Sequence, residues 1–178
     1  MRSLLCAERR YCLGNHRPPL FSVCVRHPIA LARALLADVP GQPIRVEQGD
    51  PGSLMGIALQ PEGLPRPSSP YSPVVVSGEN VFTAGQVGFD ENGDLVPGAI
   101  QEQTRQALEN VRTCLAAAGC TMADVVKVTA FLVDLGDFAA YNEVYAEFFT
   151  EPYPARTTVG VMLPDGLLVE IEAVARIP

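Results

Sequence analysis

The pattern of apolar and polar positions becomes regular from Pro73 onwards, where it first predicts a pair of short strands. The segment VVVSGENVFTAGQV (74–87) reads as two strands joined by Ser-Gly-Glu-Asn, because β-branched runs bounded by turn residues favour strands. Gly85 interrupts the second strand, at a position where bare backbone allows a ligand or a neighbour to approach closely. Asn92-Gly93 then predicts a tight turn within FDENGDLV.

A long amphipathic helix is predicted from about Gly98 to Ala118. Small and apolar residues recur there at i, i+4 and i+7 spacing, which places them on one face of a helix: Ile100, Thr104, Ala107, Leu108, Val111, Leu115 and Ala118. Gly119 follows directly, and glycine at this position commonly ends a helix.

The next two elements are a central strand and a shorter helix. The segment DVVKVTAFLVD (124–134) is apolar on both faces, as expected of a strand that is covered on both sides. A second helix is predicted after Asp137, a candidate N-cap. Its aromatic stripe predicts core packing rather than a ligand site: Phe138, Tyr141, Val144, Tyr145, Phe148 and Phe149.

Two final strands, RTTVGVM and LLVEIEAVARI, are separated by Leu-Pro-Asp-Gly, a sequence typical of a hairpin turn. The order ββ-α-β-α-ββ predicts an α+β domain with both helices on one face of a mixed sheet. In the last strand Val169 and Ile171 would face one side, and Glu170 and Val174 the other. Two helices cover only one face, so the exposed apolar face predicts homo-oligomerisation.

The first 54 residues are organised differently from the rest. They mix Arg, Pro and scattered apolar residues, and only HPIALARALLADV (27–39) has a helical rhythm; five prolines then follow between Gln60 and Pro73. We divide the chain into an N-terminal extension (1–54) and a domain (55–178). The extension is a start assigned too early, with Met55 the true first residue, a disordered tail, or an Arg-rich targeting peptide.

Charge and length exclude some classes of function. Residues 1–54 carry seven arginines and four acids, whereas residues 55–178 carry six bases and sixteen acids, a balance of −10 within a total of −7. Such an acidic domain disfavours nucleic acid as a partner, because phosphate contacts need clustered Lys or Arg. The sequence contains no uninterrupted apolar run of about 18 residues, the length that predicts a membrane-spanning helix.

Cysteine and histidine usage restricts the chemistry further. The five cysteines show no C-x-x-C or zinc-type spacing, so we expect reduced thiols and a cytoplasmic setting, with Cys114 and Cys120 as buried hydrophobes. Both histidines, His16 and His27, precede Met55. Unless the extension folds back, the domain therefore contains no Ser-His, Cys-His or His-metal site.

Three residues are candidates for chemistry, each with a structural alternative. Arg156 follows a Pro-Tyr-Pro turn and presents a fork to a planar carboxylate, or forms an ion pair with Glu151 or Glu172. Glu170 lies in an otherwise apolar strand, where it either activates a water or lies on an exposed rim. Tyr71 is a hydroxyl donor or a packing residue.

Six collinear motifs covering about residues 68–176 resemble the RidA family of reactive-intermediate deaminases, also known as the YjgF family. They are PYSPVV (70–75), VFTAGQVGFD (81–90), QEQTRQALENVRTCLAAAG (101–119), VVKVTAFLVDLGDFAAYNEVYAEFF (125–149), PARTTVGV (154–161) and LVEIEAVA (168–175). The resemblance leaves residues 1–54 unexplained.

The resemblance implies a chorismate-mutase-like α+β fold that forms a homotrimer with sites in the clefts between subunits. It also implies hydrolysis of enamines and imines, such as 2-aminoacrylate and 2-aminocrotonate, to 2-keto acids and ammonia, without a metal or organic cofactor. An alternative is a trimeric protein that binds 2-keto acids without turnover. A third is the ribonuclease activity sometimes attached to this family.

Carried over by motif, Arg156 would bind the substrate carboxylate and Glu170 would orient the attacking water. Tyr71 would close the site across the subunit boundary. The Gly85 backbone would contact the carboxylate or the developing charge, and Thr158 would contribute to substrate binding. The chain departs from the family pattern at Pro73, Ala84 and Gly160, which leaves the substrate preference open.

Overall fold

Six strands and two α-helices form the part of the chain that the computed structural model describes, residues 56–164 and 166–178. The predicted extension over residues 1–54 lies outside the described residues. In chain order the elements are β1 (Ile57–Leu59), β2 (Val74–Ser77), β3 (Asn80–Thr83), α1 (Ile100–Ala117), β4 (Val125–Leu132), α2 (Phe138–Phe148), β5 (Ala155–Gly160) and β6 (Val169–Arg176). The predicted α+β class is confirmed.

The strands form one mixed sheet in the order β1-β2-β3-β6-β4-β5. Only β4 and β5 run parallel, while the other neighbouring strands are antiparallel. The two-residue connection Gly78-Glu79 closes the predicted hairpin between β2 and β3, and Gly78 has a φ of +61° that glycine adopts without strain. β4 and β5 are joined through α2, because parallel neighbours require a crossover.

One face of the sheet carries the core. Every residue of the predicted apolar face of α1 is buried, and this face packs with α2 against inward-facing side chains of the strands. Those of β6 are Val169, Ile171, Ala173 and Ala175, which alternate with half-buried residues as predicted. Gly119 follows the helix with a φ of +73°, which confirms the predicted helix end.

The opposite face of the sheet is not covered by either helix. Apolar side chains on it include Val75, Phe82, Phe131, Val159 and Val174, and Phe82 is 43% exposed. A row of apolar side chains on an uncovered sheet face favours association with another surface. None of the described helices has the length and apolar character of a membrane span.

One local prediction is wrong, and one strand was not predicted. Leu-Pro-Asp-Gly does not close a hairpin, since β4 lies between β5 and β6; the connection instead crosses the end of β4 and is held by Gln103, whose side chain bonds to Gly166 O and Leu168 N. Strand β1 lies before the predicted first strand in the chain and was not predicted. The second helix begins after Asp137, as predicted, and Asp137 occupies its N-cap position, although its side chain makes no capping bond. The Asp134 carboxylate accepts a hydrogen bond from Gly136 N in the turn that precedes this helix.

Candidate functional site

Arg156 lies near the start of the edge strand β5, on the face of the sheet that the helices cover. Its register partner in β4 is Val128, a core residue, and paired residues of neighbouring strands point to the same face. The guanidinium carbon lies 4.4 Å from the ring centroid of Tyr145, 5.3 Å from that of Tyr141 and 5.5 Å from that of Phe138. The aromatic stripe of α2 therefore contacts Arg156 as well as the core.

The Arg156 guanidinium has no acidic partner among residues 56–164 and 166–178, and it lies close enough to the Tyr141 hydroxyl to oppose the rise of the pKa of that group. The ion pairs of that part of the chain are Arg105–Glu147, Arg112–Glu109 and Arg176–Glu79, so the alternative of a pair with Glu151 or Glu172 is not found. Aromatic stacking uses the face of a guanidinium and satisfies none of its five N–H donors. The donors of Arg156 thus remain available to a ligand.

A pocket of about 330 Å³ opens next to this guanidinium. It is lined by Asn142, Tyr145, Ala146, Tyr153, Pro154 and Arg156. The residues therefore come from α2, from β5 and from the Pro-Tyr-Pro turn that precedes β5. The pocket holds one cation between apolar walls, an arrangement that suits a small anionic ligand.

Three residues near Arg156 have buried hydroxyl groups that lack hydrogen-bond partners among the described residues. The three are Tyr141, Tyr145 and Thr158, and Thr158 lies two residues after Arg156 on the same face of β5. Burial raises the pKa of both tyrosines, and the guanidinium partly offsets this rise. Buried hydroxyls normally have a hydrogen-bond partner, so the absence of one at these three residues distinguishes this part of the core.

Glu170 lies on the uncovered face of the sheet, and its side chain is in close contact with Gly85. A Cβ atom on Gly85 would lie 1.7 Å from Glu170 Oε1 and 2.6 Å from Cδ, so only glycine leaves room for the carboxylate. The prediction that backbone at Gly85 allows close approach is confirmed, and the approaching group is the Glu170 side chain. Burial, and secondarily the charge of Glu172, raise the pKa of Glu170 above its ordinary value.

Tyr71 lies beside the same end of the sheet. The β2–β3 ladder continues past the strand ends, because Ala84 N donates to Pro73 O at 2.8 Å. This bond brings the segment before β2 alongside the Ala84-Gly85 end of β3. Tyr71 is 55% exposed there, so its ring is free to cover a ligand or another surface.

The candidate residues therefore form two groups on opposite faces of one sheet. Arg156 and Thr158 face the helices, while Gly85 and Glu170 lie on the uncovered face. The predicted final hairpin would place Glu170 on a strand next to that of Arg156. In the structure β4 lies between these two strands. Two strand spacings and three residues of register place the two Cα atoms roughly 14 Å apart, with side chains that point away from each other.

The sequence identified Arg156 and Glu170 as candidates but did not predict that Tyr141 and Tyr145 contact the Arg156 guanidinium. The spacing of Tyr141 and Tyr145 predicted their burial, which is confirmed. Periodicity gives the face of a helix but not the residue beneath it, so the contact with Arg156 had no signal in the sequence.

The architecture defines a class of small α+β domains in which two helices back a six-stranded mixed sheet. The sequence profile of the Endoribonuclease L-PSP family matches residues 62–177, and the chain belongs to this family. The resemblance to the RidA group is confirmed by relatives that carry its deaminase name.

Three relatives illustrate the similarity. A RutC family protein of Pyrococcus horikoshii is 50% identical over 116 residues, which cover 64% of this chain and 92% of that protein. The human 2-iminobutanoate/2-iminopropanoate deaminase is 40% identical over 125 residues, or 69% of this chain and 91% of the human protein. The structure of Escherichia coli TdcF with bound serine superposes with a TM-score of 0.63 at 40% identity, covering 68% of this chain and 98% of TdcF.

Proposed function

We propose that the protein hydrolyses reactive enamines and imines of the 2-aminoacrylate type to 2-keto acids and ammonia. The observation that carries this proposal is the Arg156 guanidinium, which faces a pocket and has no acidic partner in the described part of the chain. Two similarities support it. The human relative is named a 2-iminobutanoate/2-iminopropanoate deaminase, and TdcF holds serine, a small molecule with a carboxylate.

In this proposal Arg156 binds the carboxylate of the substrate. A guanidinium donates two parallel charge-assisted hydrogen bonds to the two oxygens of a carboxylate, which fixes the plane of the ligand. Thr158, whose hydroxyl is buried without a partner, donates a further bond. Binding of this kind holds the imine carbon, which is already electrophilic, beside the attacking water.

Glu170 orients the attacking water. After the enamine tautomerises to the imine, water adds to C2, and the resulting carbinolamine expels ammonia as the C–N bond breaks and the C=O bond forms. A carboxyl group whose pKa is raised by burial exchanges a proton with water and with the leaving amine more readily near neutral pH. The Gly85 backbone contacts the developing charge, and Tyr71 closes the site.

A site with both groups requires a second copy of the chain. Arg156 and Glu170 of one chain point to opposite faces of the sheet, so Arg156 of one copy meets Glu170 of another. The uncovered apolar face, with Phe82 and Phe131, provides a surface for this association. A homotrimer with three equivalent sites between subunits satisfies both requirements.

The first test measures keto acid and ammonia release while 2-aminoacrylate is generated in situ. Arg156→Ala should reduce kcat/KM by about 10²- to 10³-fold, because loss of two charge-assisted bonds removes about 3–4 kcal/mol. Arg112→Ala is the matched control, since Arg112 also stacks on a ring, at 5.2 Å from the Phe148 centroid, but is paired with Glu109. Equal rates for wild type and Arg156→Ala would contradict the proposal.

The second test mixes two inactive variants, Arg156→Ala and Glu170→Ala, under conditions that exchange subunits. If each site takes Arg156 from one copy and Glu170 from another, about a quarter of the sites in a random one-to-one mixture contain both groups. Activity should therefore reappear on mixing. A mixture as inactive as its components, with exchange verified by mass spectrometry, would show that the two groups do not act across copies.

Assays on the same purified proteins distinguish the proposed deaminase from two alternative functions. A protein that binds 2-keto acids without turnover would show saturable pyruvate binding and no accelerated hydrolysis. The family description refers to an endoribonuclease, but residues 55–178 carry six bases against sixteen acids, a balance that opposes phosphate binding. Absence of RNA retardation at low salt would remove that candidate.

The departures from the family pattern concern the surroundings of the site. Gly160, where an acid is common in the family, ends β5, and a Cβ there would meet only the Leu135 side chain, at 3.4 Å and beyond. The backbone therefore does not require glycine at this position. We propose that Ala84 and Gly160 alter which imines the protein accepts, because each lacks the polar side chain that is common at its position in the family.

A further inference from the structure

Three rings of α2 surround the Arg156 guanidinium. Phe138, Tyr141 and Tyr145 follow one another at i, i+3 and i+7, so they lie on one face of the helix. The Tyr145 ring is nearest, at 4.4 Å from the guanidinium carbon. Tyr141 and Tyr145 also pack against each other, with centroids 5.7 Å apart, and both residues are buried, which restricts the motion of their rings.

We propose that Tyr145, supported by Tyr141, is a positioning residue that holds the Arg156 guanidinium ready for a carboxylate. This inference rests on the proposed role of Arg156 as the carboxylate-binding residue. The guanidinium carbon lies over the Tyr145 ring, an arrangement that holds the cation without an acidic partner. Arginine has a long flexible side chain, and fixing it before the ligand arrives reduces the entropy that binding must remove.

The ring of Tyr145, rather than its hydroxyl, carries this role. The hydroxyl is buried and has no partner among the described residues, so it neither anchors the ring nor bonds to the guanidinium. Phenylalanine preserves the stacked face and removes only this unpartnered group. Leucine fills much of the volume but has no π face, so the pair Tyr145→Phe and Tyr145→Leu separates stacking from the other properties of the side chain.

The test measures pyruvate binding by titration calorimetry and KM and kcat in the deaminase assay. Tyr145→Leu should weaken pyruvate binding and raise KM by about 5- to 20-fold, while Tyr145→Phe stays within about 2-fold of wild type. The value of kcat should change by less than about 3-fold in both, because a carboxylate clamp acts equally in the ground and transition states. A merely structural role would lower the melting temperature and the active fraction without this division between KM and kcat.

The outcomes distinguish this inference from the proposed function. If Arg156→Ala binds pyruvate as well as wild type, the proposed carboxylate site fails and this inference fails with it. If Arg156→Ala loses binding while Tyr145→Leu retains it, only the positioning role is overturned. Equal losses in Tyr145→Phe and Tyr145→Leu would also overturn it, since the hydroxyl would then be responsible.

A second variant keeps the test decisive if Tyr145→Leu does not fold. Phe138 is 40% exposed and stacks at 5.5 Å, so Phe138→Leu removes a more distant ring with little effect on the core. It should weaken pyruvate binding by about 2- to 4-fold. Wild-type binding in a folded Phe138→Leu protein would then count against the positioning role.

Discussion

Replacement of Gly85 by alanine tests whether the position of the Glu170 carboxylate matters for activity. The new Cβ would lie 1.7 Å from Oε1, 2.6 Å from Cδ and 2.8 Å from Cγ of Glu170, whereas ordinary contacts begin near 3.4 Å. The carboxylate must therefore move by about 1.5 Å or more. Displacement of a reacting group by roughly 1 Å can reduce a rate by about 10²-fold, so kcat/KM should fall by this factor.

Stability should change much less than activity. The atom that must move first is the end of a flexible side chain, and an altered rotamer costs about 0.5–1.5 kcal/mol, or a melting temperature lower by about 2–8 °C. Gly160→Ala is the matched control, because its Cβ meets only Leu135 at ordinary contact distance. It should retain wild-type stability and more activity than Gly85→Ala.

A double variant identifies the mechanism of the loss. If Gly85→Ala acts through Glu170, it should have no further effect on kcat/KM in a Glu170→Ala background, because the displaced group is already absent. Additive losses would show that the Gly85 backbone contributes independently of Glu170. Activity of Gly85→Ala within about 3-fold of wild type would refute the reasoning entirely.

Three further predictions concern pH, the cysteines and assembly. Burial raises the pKa of Glu170 above 4.5, so its ionised form destabilises the fold as pH rises through the folded pKa; Glu170→Gln should raise the melting temperature at about pH 7 but not at about pH 4. Burial raises the pKa of the Cys114 thiol to about 12, so iodoacetamide should label it only after unfolding, as mass spectrometry would show. Phe82→Glu places a charge on the uncovered face, and light scattering should detect smaller assemblies with lower activity; an unchanged mass would contradict the proposed use of that face.

The helices could be predicted from the sequence because their apolar periodicity extends over many turns. The observed α1, Ile100–Ala117, lies within the predicted range of about Gly98 to Ala118. Strand β1 was missed since three residues beside a proline-rich segment carry no measurable alternation. The supposed final hairpin failed because a turn sequence reverses the chain without choosing its partner, whereas the unit β4-α2-β5 requires β5 to lie parallel beside β4.

The candidate site shows the same limit. Residue type and motif identified Arg156 and Glu170, but the faces that they occupy depend on strand register. In β4, which lies between their strands, Val128 pairs with Arg156 and Phe131 pairs with Glu170. The division of one proposed site between two surfaces follows from pairing between distant segments. No local pattern in the sequence reports it.

The place of β6 between β3 and β4 has a consequence for how the fold is assembled. The segments β1–β3 and β4–β5 share no direct strand pairing, and both are joined only through Val169–Arg176, the last strand of the described chain. Until β6 docks, each segment presents an open edge that can pair with other chains. Proteolytic cleavage before Val169 would therefore leave two open sheet edges, at β3 and at β4, so aggregation is the expected result of losing β6.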